Sequence, residues 1–482
     1  MMNFLTRAGI CASLLLTVAA LTSLAAQDDF GFGFGDEDSA TTESFSTTTA
    51  SPPAVTIAGE VSGTVLVYVD DFDALPDAHW GDIFAGALNF SASAFNAEAV
   101  INLNLTPAFT NGAFTFPIAV DEAYARAYFG KLSVEAGLRK LTWGKADSLG
   151  PLDVINPLDY SDLTAMTDVM SIKLARPMIH AAYSIGAFSK IEAVFVPWFQ
   201  GITFAEDGRW APAQMQAIAS AIGKGIASAL AQMPPSQAVL DIAAYYEGLD
   251  VAAFYPNTTT LKYAQAGARF TTSVGSSDIG AQYYFGRLHR PAVTIVGQDT
   301  FLQNPYGIAP RIAYNWYHQV GVDFARVIAG FNLRAELAAN LTEDLAGDDG
   351  GVYNPSIAWS LGFDRDLFAG INLNLQVNER IRLLNSKVGN NIALDTEAGS
   401  DVTSTRITAV LSKKFFRDEL ELKVTGIVGI EDADFYLLPG VIWTKGDIVL
   451  ELSGGVFGGD TSGELGQYHR NSFVKTILTY AF

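Results

Sequence analysis

The feature that most constrains this chain is a two-residue alternation that recurs in segments of about ten residues. In GFNLRAELAANL, residues 330–341, Phe331, Leu333, Ala335, Leu337, Ala339 and Leu341 share one face. Asn332, Arg334, Glu336 and Asn340 share the other. INLNLQVNERI, residues 371–381, repeats the pattern: Ile371, Leu373, Leu375 and Val377 on one side, Asn372, Asn374, Gln376, Asn378 and Arg380 on the other. Successive side chains of a strand point to opposite faces, so each segment offers one oily and one polar face. A soluble sandwich also alternates, but its strands usually run about five or six residues. A strand that crosses a bilayer needs about nine to eleven.

Composition sharpens the choice. Of 482 residues 49% are hydrophobic, and the mean hydropathy is +0.21. Yet no segment beyond the N-terminus approaches the ~20 apolar residues of a membrane helix. In lipid only helices and closed barrels satisfy the backbone's polar groups, so the apolar residues are expected on barrel strands. The N-terminus supplies the matching address. Arg7 precedes a Leu/Val/Ala run, and Ser23-Leu24-Ala25 offers small residues for cleavage, so residues 1–25 are expected to be a secretory signal peptide. The sole cysteine, Cys11, lies inside it, which leaves neither a disulfide framework nor a thiol catalyst. Residues 26–54 carry acids, Ser, Thr and Gly without Lys or Arg and are expected to form a disordered periplasmic tail. The net charge of −21 argues against a nucleic-acid partner, which wants a basic surface.

The connections give an independent test. About eighteen strands can be drawn between residues 55 and 482, with fourteen as the lower bound. Every second connection is tight: near Asn96, Lys131, Phe188, Ser276, Ala329, Phe368, Arg417 and Gly446. The others are mostly long. Bacterial barrels alternate short periplasmic turns with longer outside loops around an even number of antiparallel strands. The expected fold is therefore an all-β, up-and-down transmembrane barrel in the cell outer membrane. The last residues, NSFVKTILTYAF, place Val474, Leu478, Tyr480 and Phe482 on one face. This resembles the C-terminal signature of bacterial outer-membrane barrels, which implies that Tyr480 and Phe482 are read by the barrel assembly machinery. Tyr128, Phe129, Tyr283, Tyr284, Phe285, Trp316, Tyr317, Trp359 and Trp443 fall where an interfacial aromatic girdle is expected.

One stretch breaks the alternation. TWGKADSLGPLDVINPLDYSDL, residues 142–163, is crowded with Pro, Gly and Asp, and it falls in the third long outside loop. The strands before it place Glu122, Arg126, Glu135 and Arg139 inward. Rings of charge select ions in pores, so the loop is expected to fold inward as a constriction through Trp143, Gly144, Lys145, Asp147, Asp153, Asn156, Pro157 and Asp159, the alternative being a solvated surface loop. Pro151 and Pro157 rigidify it, and Trp143, Leu152, Val154 and Ile155 need burial. The basic wall it faces is expected to be Arg126, Arg139 and Arg176. Lys173 and Arg176 have opposite parity, so in a regular strand only one points inward. The remaining lumen wall is expected from Arg334, Glu336, Asn372, Asn374, Gln376, Asn378 and Arg380, with Glu421 and Lys423.

The stretch GLRKLTWG, then DVINPLD, then VFVPWF resembles a group of bacterial outer-membrane barrels classed only as a domain of unknown function. Gly137, Trp143, Gly144, Asn156, Pro157 and Asp159 match its Gly-Arg-Gln, Trp-Gly and Asn-Pro-x-Asp pattern. Leu138 and Arg139 stand where that group has Arg and Gln. The resemblance covers about residues 120–200 and implies an outer-membrane barrel without implying a substrate.

The fourth long loop, about 201–259, carries a helical stripe: Met215, Ile218, Ile222, Ile226, Leu230 and Met233 recur at steps of three and four. Pro234-Pro235 ends it, and Ser236 is placed to cap a second helix through about Tyr246. Such helices cover the pore mouth, plug the lumen or pack on the rim; the pattern leaves all three open. The five histidines show no metal-ligand spacing. There is no nucleophile elbow or phosphate loop, and no cofactor, metal or enzyme activity is expected. Asp348-Asp349 in GDDGG is expected to form a surface turn before a calcium site. The reading that follows is a porin-like channel for passive diffusion of small polar or amphipathic solutes, its partners being outer-membrane lipid and the assembly machinery. A homo-oligomer rests only on analogy with porin trimers. The alternative is a surface adhesin or structural barrel plugged by its loops.

Overall fold

The computed structural model describes residues 54–70, 84–110, 113–213, 230, 236–247, 251–297, 299–300 and 303–482. The signal peptide, the acidic tail and most of the first loop helix lie outside these residues.

Eighteen strands follow one another around the barrel: β1 (Ala54–Tyr68), β2 (Phe84–Ala94), β3 (Ala97–Leu105), β4 (Ile118–Phe129), β5 (Leu132–Arg139) and β6 (Arg176–Ile185). Then come β7 (Ser189–Val196), β8 (Gln265–Val274), β9 (Ser277–Arg287), β10 (Trp316–Ile328), β11 (Phe331–Thr342) and β12 (Ser356–Asp366). The last six are β13 (Ile371–Arg382), β14 (Thr403–Phe415), β15 (Leu420–Gly429), β16 (Asp434–Lys445), β17 (Ile448–Gly459) and β18 (Phe473–Ala481). They form one 18-stranded sheet. It closes where β1 meets β18 in antiparallel register, from Glu60 opposite Ala481 to Tyr68 opposite Phe473. Closure removes the unpaired edge that lipid does not tolerate.

Local chemistry sets the hairpins. Between Ile328 and Phe331, which pair across strands, only Ala329 and Gly330 remain, both at positive φ (52° and 79°). That is what a two-residue type I′ turn requires. On the opposite rim lie the loops, L1 to L9 in chain order. L8, between Gly429 and Asp434, is the short exception. With the tight turns periplasmic, the loops lie outside the cell.

The alternation sorts as the sequence predicts. On β10, Val320, Val322 and Phe324 face outward, while Gln319 and Asp323 are buried inside. An Arg or Lys on the lipid face would cost about 2–4 kcal/mol at mid-membrane, and that penalty fixes the register. Val474, Leu478 and Phe482 face outward as expected, and the Tyr480 and Phe482 rings stack at 6.4 Å. The girdle needs correction. Tyr283, Phe285, Trp316 and His318 do cluster outward near the loop rim. Tyr284 and Tyr317 instead point inward and are buried, because L3 brings apolar side chains to them. Tyr128 also faces inward and accepts a hydrogen bond from Arg126.

The apolar core lies inside the barrel, where loops meet the wall. One cluster joins Leu141, Trp143 and Ile155 of L3 to Met178, Val194, Val196, Tyr284 and Tyr317. A second, on the opposite wall, joins Leu163 of L3 and Trp210 of L4 to Leu66, Tyr68, Tyr436, Phe457 and Phe473.

Candidate functional site

L3 leaves the wall at the end of β5. Gly137 lies against β4 at φ 145°, and a Cβ there would sit 2.2 Å from the Ala123 carbonyl oxygen. Only glycine fits so close an approach. Trp143 then packs edge-on to Tyr284, with ring centroids 6.4 Å apart, over Gly267, where a Cβ would meet the indole at 2.9 Å. The chain turns at Gly144 (φ 105°) and crosses the lumen.

Its tip docks on the far wall, from β9 to β13, through polar side chains that reach its backbone. The Glu336 carboxylate accepts from the amides of Lys145, Ala146 (2.7 Å) and Leu152 (3.2 Å). Gln376 Oε1 accepts from Asp147 N at 2.8 Å and Ser148 N at 3.1 Å. Asn378 donates to the Leu149 carbonyl at 3.0 Å, Gln319 to Pro151 at 3.0 Å and Gln282 to Leu152 at 2.9 Å. A loop folded into a barrel must satisfy its own amides, and this wall supplies the partners. Leu152, fully buried, fills the space left by Gly321, where a Cβ would stand 2.2 Å from it.

The return limb is stapled to the departure. Asn156 Oδ1 accepts from Leu141 N at 2.8 Å, and its Nδ2 donates to the carbonyls of Arg139 (3.0 Å) and Leu174 (2.8 Å). The Pro157 carbonyl accepts from Leu174 N at 2.9 Å. Asp153 forms an ion pair with Lys173 at 2.7 Å, and Lys173 also donates to Thr142 Oγ1 at 2.5 Å. Burial pushes the Asp153 carboxyl above its ordinary value, against the pull of Lys173. Asp159, Asp162 and Asp168 cap the turns of the return limb through the amides of Ser161, Thr164 and Met170. They are local turn-formers, which short Asp side chains favour.

The basic wall differs from the sequence expectation. The acidic tip meets Arg334, which pairs with Asp147 at 2.6 Å and Asp364 at 2.7 Å. Arg126 and Arg139 are taken up by Glu135 between them, at 2.6 and 2.7 Å. His180 stands between Glu135 (3.4 Å) and Glu192 (3.3 Å). Arg176 is buried under the root of L4, where it donates to the Trp198 carbonyl and to Gln200 at 3.0 Å. Parity did not separate it from Lys173, because Lys173 ends a short helical turn before β6 begins, outside the regular strand, and both are buried. Glu122 accepts from Lys140 N at 2.8 Å. Asn372 and Asn374 line the lumen below the loop, and Arg380 lines it above.

Sequence reading missed the course of L4. Residues 197–213 run from β7 across the mouth to the opposite wall. Thr203-Phe204 pair with Asp159-Tyr160 of L3 on the way. Trp210 then inserts among Tyr68, Phe457 and Tyr468, with centroids at 6.3, 5.5 and 5.4 Å, and Arg209 pairs with Asp70 at 2.9 Å. Trp210, a large apolar residue beyond the strand that needs burial, was the available signal. Further on, the second helix spans Gln237–Glu247, with Ser236 Oγ accepting from Val239 N at 3.4 Å. Its Ile242 packs on Ile295 and Ile308 of L5. At GDDGG, the preceding Asp344 accepts from the amides of Ala346, Gly347 and Asp349, and Asp348 pairs with Lys387 at 2.6 Å. This is a surface turn.

L3 thus divides the lumen. Above it lies a cavity of about 440 Å³, bounded by Ser148–Val154 and the L4 strap. Below it lies one of about 910 Å³, lined by the Glu135 and Arg334 groups.

No protein-family model and no curated protein matches this chain. Among solved structures it is similar to the outer membrane protein opdK of Pseudomonas aeruginosa, at 8% identity and TM-score 0.47, covering 89% of this chain and 99% of that one. It is also similar to OccK11 (OpdR) of the same organism, at 9% identity and TM-score 0.45, covering 89% and 96%. The outer membrane channel DcaP of Acinetobacter baumannii matches at 9% identity and TM-score 0.39, covering 89% and 98%. The assignment of a closed outer-membrane barrel rests on this chain's own strand pairing and apolar outer belt.

Proposed function

We propose that this protein is an outer-membrane channel through which small polar or amphipathic solutes diffuse, with residues 143–159 as its constriction. The observation that carries this reading is the crossing of L3. The loop leaves the wall at β5, docks on β9 to β13 and leaves a cavity on each side, of about 440 and about 910 Å³. Eighteen strands enclose a lumen wide enough for water, and a loop across it sets the narrowest section. Trp143, Gly144, Asn156 and Pro157 build the foot of the loop. Asp147, Arg334 and Asp364 supply fixed charge beside the passage, Lys145 and Asp153 belong to the loop's charge pattern, and Asn372, Asn374, Gln376 and Asn378 keep the adjoining wall polar. Tyr480 and Phe482 serve as the assembly signal.

The L4 strap favours a second reading, a barrel closed by its loops that acts through residues 201–259. Planar-bilayer recording on the refolded full chain separates the two. Stable ohmic current steps are expected; a barrel that inserts but passes no current would replace the channel reading with the closed one.

A further inference from the structure

Above L3 the cavity has an uneven charge and an uneven polarity. The guanidiniums of Arg290, Arg380 and Arg406 line it. The nearby carboxylates are already engaged: Glu397 is shared by Arg380 and Arg382 at 3.9 Å each, Glu464 pairs with Arg406 and Asp153 with Lys173. Glu379 lines the cavity through a strand position whose parity faces away from the lumen. Among the described residues Arg290 has no acidic partner; its guanidinium lies 4.0 Å over the Tyr353 ring, which orients it without neutralising it. Around Arg290, Arg380 and Arg382 that leaves one carboxylate among the described residues, Glu397, within ion-pair distance, while Arg406 is held by Glu464 with Asp432 and Asp434 nearby. Beside Arg290, His289 Nε2 is buried without a hydrogen-bond partner, and this residue also lines the cavity. Leu149, Val154, Met166, Leu288, Tyr317 and Ile427 supply the apolar part of the remaining wall, and Gln319, Asn340, Asn378 and Thr425 are among its polar residues.

We propose that this upper cavity is a binding site for a small amphipathic oxyanion, its charged end held by Arg290 and Arg380 and its apolar body against Leu288, Tyr317 and Ile427. A volume of about 440 Å³ lies in the range of small-molecule pockets. The guanidinium fork matches carboxylate or phosphate oxygens in two parallel hydrogen bonds. A cation meets surplus positive charge here, and a neutral molecule of the same shape leaves the arginines without a partner. The proposal depends on the channel reading for its place on a transport path, but not for binding itself.

The test is a calorimetric titration of the refolded full chain with four probes: 2-naphthoate, 2-naphthyl phosphate, the neutral 2-naphthamide and inorganic phosphate. At least one naphthyl anion is expected to bind saturably, with 2-naphthamide and inorganic phosphate far weaker. Which anion binds tighter decides between carboxylate and phosphate. Arg290→Gln should weaken that anion about tenfold or more, as loss of a charged hydrogen bond implies. Arg290→Lys should weaken it less, and Arg326→Gln, in the lower cavity, should leave it unchanged. No binding by either anion, equal binding of 2-naphthamide, or an unchanged affinity in Arg290→Gln overturns the proposal. Binding by a barrel that passes no current keeps the site and removes the channel; current without binding does the reverse.

Discussion

L3 and L4 both cross the barrel, but they are held in opposite ways. L3 is fixed at its tip by polar groups. Glu336, Gln376 and Asn378 reach up from the wall to backbone amides and carbonyls of residues 145–152. L4 is centred on one aromatic ring, Trp210, in a cage of three others, with the Arg209–Asp70 ion pair beside it. A polar anchor holds a segment in a fixed line while its surroundings stay wet, which suits the middle of a passage. An aromatic anchor needs a dry pocket, and the L4 anchor sits against the wall, away from the centre.

Removing each anchor should therefore fail differently. The largest effect is expected for Glu336→Leu, which strands the amides of Lys145, Ala146 and Leu152; each unpaired buried group costs about 1–3 kcal/mol. The tip should leave the wall, with conductance raised or noisy and proteases cutting within 144–153. A quiet current equal to that of the parent chain would mean that Glu336 does not anchor the loop. Trp210→Ala should come next, at about 3–5 kcal/mol. Here the expected readout is trypsin cleavage after Arg209, with conductance through L3 little altered. Equal resistance to trypsin would remove the anchor role from Trp210.

A smaller effect should follow pH. Burial, with Arg176 nearby, pushes the His289 imidazole down to about 3. The docked form therefore refuses a proton that the released form takes up below about pH 6.5. Its contribution is intact above that pH and declines, by at most about 1.4 kcal/mol per pH unit, as pH falls toward 3. Protease resistance of L4 and L5 should fall in that window, and His289→Gln should flatten the His289 part of the profile. An unchanged slope in that variant would rule His289 out. The smallest effect should be that of Arg334→Gln. Partly exposed ion pairs contribute about 0–1 kcal/mol, so the barrel should keep its stability while reversal potentials shift toward cation preference. A shift toward anions would put Arg334 away from the passage.

The same contrast explains what the sequence could show. Strands were legible because lipid and lumen impose opposite demands on adjacent residues, as Leu337 and Glu336 illustrate: one is half exposed outward, the other buried inside. The inward fold of L3 was legible from Trp143, Leu152 and Ile155, which had to bury somewhere. Its docking wall was not. Glu336 and Gln376 anchor the loop, while Asn374 only lines the cavity, yet all three are polar residues at lumen positions. Arg126 and Arg139 misled because Glu135, four residues before Arg139 on β5 and directly opposite Arg126 on β4, takes up both, and the inward parity of all three does not say whether they pair with each other or face the loop. Tyr284 and Tyr317 misled for a related reason: an aromatic near a strand end serves a lipid girdle or a loop's apolar foot equally well.

The central claim is that the L3 tip sets the narrowest section of the passage. It is tested most directly by replacing residues 145–152 with a short Gly-Ser linker. The foot is kept, since Trp143 and Ile155 share one cluster and Asn156 staples the two limbs. Single-channel conductance of this variant in a planar bilayer should rise several-fold over the parent chain, with charge selectivity weakened. Unchanged conductance and selectivity would contradict the account.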